Sequence, residues 1–135
     1  TEIREALQKA HIFAYPSIWM ETSCVALMEA MSAGLICVHS DLAALPETAA
    51  NWTSMYGFQE DKNLHASIFY RVLDESIKSA MDGSLLNKCM HQKQYVDTFY
   101  SWNSRLPQWR ALLESLRGMP TKIEEPVKKF TYRVG

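Results

Sequence analysis

No stretch of this chain is apolar for the roughly 18 to 20 residues that a membrane-spanning helix needs. No basic segment followed by an apolar one opens it, so the sequence points to a cytoplasmic protein. Neither sign of charge dominates: 14 Lys and Arg face 15 Asp and Glu, a formal net charge of −1, which gives neither a nucleic-acid footprint nor an acidic tail. Cys24, Cys37 and Cys89 form no CxxC pair and have no histidine at zinc-ligand spacing, so they read as reduced thiols used as small apolar residues. Asp41, Asp61, Asp74, Asp82 and Asp97 make no Asp-x-Asp pair, and His11, His65 and His91 have no ligating spacing, so neither a metal nor another cofactor is expected. Gly-x-Ser-x-Gly, a Walker loop, a paired Cys-His arrangement and internal repeats are all missing. Asn51-Trp52-Thr53 has the form of a glycosylation acceptor, which matters only in a secreted chain.

What is present is 47% hydrophobic and 21% charged residues in 135, the profile of one globular domain with one core. Ile3, Ala6, Leu7 and Ala10 share one side at helical spacing and predict a short surface helix. Ile12-Phe13-Ala14-Tyr15, closed by Pro16, reads as a buried strand ending at a turn. Thr22 or Ser23 can cap a helix over residues 24–33, which Gly34 stops. Leu35-Ile36-Cys37-Val38-His39 reads as a second buried strand, ending at Ser40-Asp41. Strand, helix and strand within about 30 residues make a βαβ unit, whose strands run parallel with a right-handed crossover.

Leu45-Pro46-Glu47 begins a short helix, and residues 51–60 carry aromatics around Gly57 without an assignable period. Helices are predicted over 61–81, ended by Asp82-Gly83, and over 84–100, with Leu64, Ile68, Val72 and Leu73 as core. A last helix over 104–116 takes Ser104 as cap, which puts Pro107 in its first turn. Residues 1–118 are read as the structured part and 119–135 as a loose tail. Two strands are fewer than the about five or six of a free-standing doubly wound sheet. The chain also starts inside a helix, so it reads as the later part of a larger domain whose open strand edge invites self-association.

The stretch ETSCVALMEA, residues 21–30, places a carboxylate near each end of an apolar segment. The helix CVALMEAMSA is apolar almost all round and should be packed on most sides, with Glu29 its only charge. A glutamate there faces a solvent gap, pairs with an internal arginine, or accepts hydrogen bonds from ligand hydroxyls. Glu21, just before the cap, is favoured by the positive end of the helix dipole. The same helix start, fed from the carboxyl end of a strand, is where open α/β sheets bind phosphates, and Thr22, Ser23, Cys24 and Val25 would supply the N–H groups. Glu29 lies about 7 or 8 Å further along the axis at 1.5 Å per residue. Trp19 at the mouth and the strand end at His39 and Ser40 are secondary candidates, with packing the simpler role for each.

The segment AHIFAYPSIWMETSCVALMEAMSAGLICVHSDLAALPE resembles the signature of the retaining family-four glycosyltransferases of the GT-B fold. There a strand ending in Pro-Ser is followed by Glu, seven residues and Glu, then Ala-Met-x-x-Gly, a strand and Leu-Pro-Glu. The likeness is close over residues 10–47, and Tyr100-Ser101-Trp102 with Arg105, Gln108 and Trp109 resembles the family's late Tyr-x-Trp segment. It implies a partial Rossmann-like parallel sheet, the donor half of a GT-B enzyme, followed by C-terminal helices. It also implies that Glu21 is the catalytic candidate touching the donor sugar. The amides of Thr22, Ser23, Cys24 and Val25 would hold the diphosphate, and Glu29 the nucleotide ribose. The implied partners are a UDP- or GDP-linked sugar and an acceptor glycan or lipid bound by an N-terminal domain, with no nucleic acid. The chain has Thr-Ser-Cys where many members have glycines, and it includes neither the family's upstream phosphate-binding Arg and Lys nor its acceptor domain. Alone it is expected to be inactive or nearly so. A non-catalytic module on the same core, and a sugar-nucleotide epimerase of the same fold, are the alternatives.

Overall fold

The computed structural model describes residues 2–119. The chain divides into two compact units, one ending at Ser101 and one beginning at Trp102. In chain order the elements of the first unit are α1 Glu2–Lys9, β1 Ile12–Tyr15, α2 Val25–Ser32, β2 Ile36–Ser40, α3 Leu45–Ala49, β3 Ser54–Tyr56, α4 Lys62–Asp82 and α5 Leu86–Phe99. The second unit contributes α6 Trp102–Arg117. The expected tail lies outside the described residues except for Met119.

The fold is α/β with a Rossmann-like parallel sheet. Its order is β1-β2-β3, with Ile12 beside Ile36, Tyr15 beside His39, and Val38 beside Ser54. The third strand is an addition to the two expected from sequence. At three residues, Ser-Met-Tyr, β3 is too short to show a period, and it is fixed by pairing with β2 rather than by its own pattern.

β2 is buried along its whole length, which is why it reads as a continuous apolar run instead of an alternating one. Its side chains feed two layers. Cys37 joins Leu27, Met31, Leu45 and Val96, while Ile36 and Val38 pack with Tyr56 against Ile68, Val72 and Leu73 of α4. The buried Gln92 side chain of α5 donates to Leu35 O at 2.8 Å, tying that helix to the turn between α2 and β2. At that turn Gly34 takes φ +81, the left-handed conformation that ends a helix at low cost for glycine.

Four expectations need correction. β1 is only half buried and its Ala14 is exposed, because β1 has a single strand neighbour among the described residues. Helix α2 is packed on one side only: Leu27, Ala30 and Met31 are buried, whereas Val25, Ala26 and Glu29 are exposed. Leu64 of the α4 stripe is exposed at 48%, since it lies in the first turn, next to Asp61, the residue that caps the helix through Leu64 N at 2.8 Å. Ser104 is not a cap, because α6 starts two residues earlier and Pro107 sits inside it, leaving one intrahelical acceptor without its N–H donor.

Candidate functional site

The carboxyl ends of the strands and the amino end of α2 converge on Glu21. β1 stops at Tyr15 before Pro16, and the chain runs through residues 16–24 to α2. Neither Thr22 nor Ser23 caps α2: Cys24 takes the cap position in an extended conformation with no side-chain capping bond. Cys24 is only 1% exposed and packs in the cluster with Leu27 and Met31. Burial of that thiol sets where the helix begins, and it leaves Thr22 and Ser23 facing solvent.

The result is an uncapped helix mouth. Among the described residues, no protein acceptor meets the N–H groups of Thr22, Ser23, Cys24 or Val25. Thr22, Ser23 and Val25 are exposed, so several donors and the positive end of the helix dipole open outward together. Cys24 can serve here only through its backbone, its side chain being inside. Burial pushes the Cys24 thiol above its ordinary value, with Glu21 adding to the rise, so it remains a neutral thiol.

Glu21 is held twice. Its carbonyl accepts from Ala44 N at 3.3 Å, and its Oε1 accepts from the Tyr15 hydroxyl. Tyr15 is pushed up to about 12, first by that bond and then by burial. Ala44 follows Ala43, whose φ is +51, so the loop after β2 bends sharply back toward Glu21. That loop is in turn fastened to β3: Asp41 N donates to Tyr56 O at 2.8 Å and Asp41 Oδ1 accepts from Phe58 N at 2.6 Å. The exits of all three strands are thus linked to one another by hydrogen bonds.

Glu29 is exposed on α2, on the same open face as Val25 one turn before it. It makes no ion pair among the described residues. It lines a groove of about 650 Å³ with Arg4, Leu7, Ser32 and Lys93. Lys93 is engaged by Ser32 O and Asp97 Oδ2, each at 2.7 Å. Of the roles open to Glu29 in the sequence, an internal arginine partner is therefore not the one realised.

The remaining candidates separate cleanly. Trp19, expected at the mouth, is 76% exposed two residues before Glu21, its N–H held by Ser17 Oγ at 3.1 Å. His39 and Ser40 are fully buried. His39 bridges Ser40 O at 2.7 Å and Thr53 Oγ1 at 2.8 Å, a structural tie rather than a ligand contact. Among the described residues no three His, Cys, Asp or Glu side chains gather to hold a metal. Tyr15 and Ala44, which hold Glu21, are the positions that sequence reasoning missed. Tyr15 carried a signal, a polar-tipped aromatic as the last residue of a strand, whereas an alanine whose backbone N–H does the work carries none.

A protein-family model described as Glycosyl transferases group 1 matches residues 1–94. No curated protein and no solved structure gives a significant match.

Proposed function

The chain belongs to the group 1 glycosyl transferases, and on that premise we propose that it carries the donor-binding site of an enzyme that transfers a sugar from a UDP- or GDP-linked donor with retention. The observation that carries this reading is the row of N–H groups at residues 22–25 that meet no protein acceptor among the described residues, with Glu21 just before them. In this reading the diphosphate takes those N–H groups and the dipole of α2. Glu21 accepts from hydroxyls of the donor sugar, and Glu29 from the ribose hydroxyls.

The chemistry asked of these groups is placement and charge stabilisation. Amides already aimed at the diphosphate favour the charge that builds on it as the glycosidic bond lengthens. A sugar gripped at Glu21 is presented with its anomeric carbon fixed relative to that leaving group. Retention, a family-four character and an acceptor glycan or lipid belong to this proposal, as does assignment of residues 1–118 to the donor-binding domain. The chain is expected to bind donor and turn over little on its own. Free Cys24, Cys37 and Cys89 support a reducing, cytoplasmic compartment.

Calorimetric titration tests the reading. UDP or GDP should bind the chain, and Glu29→Ala should weaken binding about tenfold, the effect of losing hydrogen bonds to a charged acceptor. Absence of binding by either nucleotide at any accessible concentration would favour the non-catalytic module instead.

A further inference from the structure

The hydroxyl of Tyr15 holds Glu21, and that hold has a consequence for the ligand. Tyr15 ends β1, and its ring stacks on Phe13, two residues earlier on the same face of the strand, with centroids 5.3 Å apart and planes at 18°. The ring also packs against the apolar cluster that contains Cys24 and Leu27. Strand pairing fixes its backbone beside His39. The phenol is therefore a rigid post standing at the strand end.

Glu21 has the opposite character. It lies at the end of an exposed loop, with Ile18, Trp19 and Met20 all more than half exposed before it. A glutamate side chain in such a place has several rotamers of similar energy, and binding a ligand through it would require selecting one. The main chain of Glu21 is fixed by Ala44, and its side chain by the Tyr15 hydroxyl on Oε1. The Cys24 thiol also lies within hydrogen-bonding reach of the Glu21 carboxylate.

We propose that Tyr15 is a positioning residue for the donor sugar: its phenol holds one oxygen of Glu21 so that the other stays in place to accept from the sugar hydroxyls. The inference rests on the donor-site reading. It differs from that reading in placing the selection of sugar over bare nucleotide in a residue that touches neither.

The test is a pair of titrations, with UDP and GDP and with UDP-glucose, UDP-galactose, UDP-N-acetylglucosamine and GDP-mannose, on the whole chain and on Tyr15→Phe. The variant keeps the ring and its packing, and a urea melt verifies that it folds. Tyr15→Phe should weaken the best-binding sugar nucleotide about tenfold, with the matching free nucleotide changed less than about twofold. In a Glu21→Ala background, adding Tyr15→Phe should change neither, because the effect travels through Glu21.

Equal weakening of sugar nucleotide and nucleotide would show a purely structural tyrosine and overturn the proposal. So would an unchanged ratio, an additive effect in Glu21→Ala, or a wild-type chain that binds no sugar nucleotide better than its nucleotide. If neither nucleotide binds the wild-type chain, the donor-site reading itself fails and the role of Tyr15 fails with it.

Discussion

Acidification should loosen this fold through His39. The ring is fully buried, and its two nitrogens meet Ser40 O at 2.7 Å and Thr53 Oγ1 at 2.8 Å. A carbonyl only accepts, so Nδ1 carries the proton and Nε2 accepts from the Thr53 hydroxyl. Burial lowers the pKa of His39 from its ordinary 6.5, against weaker opposing pulls from Ser40 O and Asp41. The sign follows directly: below about 6.5 the unfolded chain takes up a proton that the folded chain refuses, so stability falls with pH in that window. It is fully present above 6.5, and the loss reaches at most about 1.4 kcal/mol per pH unit until the folded ring also protonates. Urea melts followed by Trp fluorescence, about one unit above and one below ~6.5, should show a lower midpoint on the acid side. His39→Asn keeps a donor for Ser40 O but removes the titration, so its pH dependence should be flatter than the wild-type one. Thr53→Val, which strands Nε2, should cost about 1–3 kcal/mol above that window. Identical pH slopes in wild type and His39→Asn would refute the reasoning.

Leu27 is 0% exposed at the centre of the α2 cluster, so Leu27→Ala should cost about 2–5 kcal/mol in chemical denaturation. Gly34→Ala meets no atom within 4 Å of the added carbon but must keep φ +81, so its loss should be a backbone effect of about 1–2 kcal/mol, read as a shifted midpoint without a changed slope. Removing the exposed pair Lys78–Asp74, 2.7 Å apart on α4, should leave the midpoint nearly unmoved. β1 has one strand neighbour among the described residues, and its open edge should pair two chains at high concentration; Ala14→Lys on that edge should return light scattering to the monomer mass.

Much of the first unit was legible because its cues are local. Proline closes β1, Gly34 and Gly83 end helices with positive φ, and Asp61 caps α4, each a signal carried by one residue type. The apolar run of β2 also announced its own burial. What escaped depends on partners. β3 exists because β2 offers it a ladder, and the one-sided packing of α2 depends on which neighbours are there to cover it. The cap at Cys24 was hidden because apolar burial, not hydroxyl chemistry, decides the helix start. That Glu21 precedes α2 and that Glu29 lies on it was readable from spacing. The grip of Ala44 on Glu21 was not, since it arises from a loop that folds back after β2 to meet a residue more than 20 positions earlier.

That return loop gives the protein a natural reporter. The Ala44 amide can exchange with solvent deuterium only when its bond to the Glu21 carbonyl opens. A single backbone proton, followed by mass or magnetic resonance, therefore records how often the acidic arm leaves its station, and a ligand that locks the arm must slow that one exchange more than it slows the sheet.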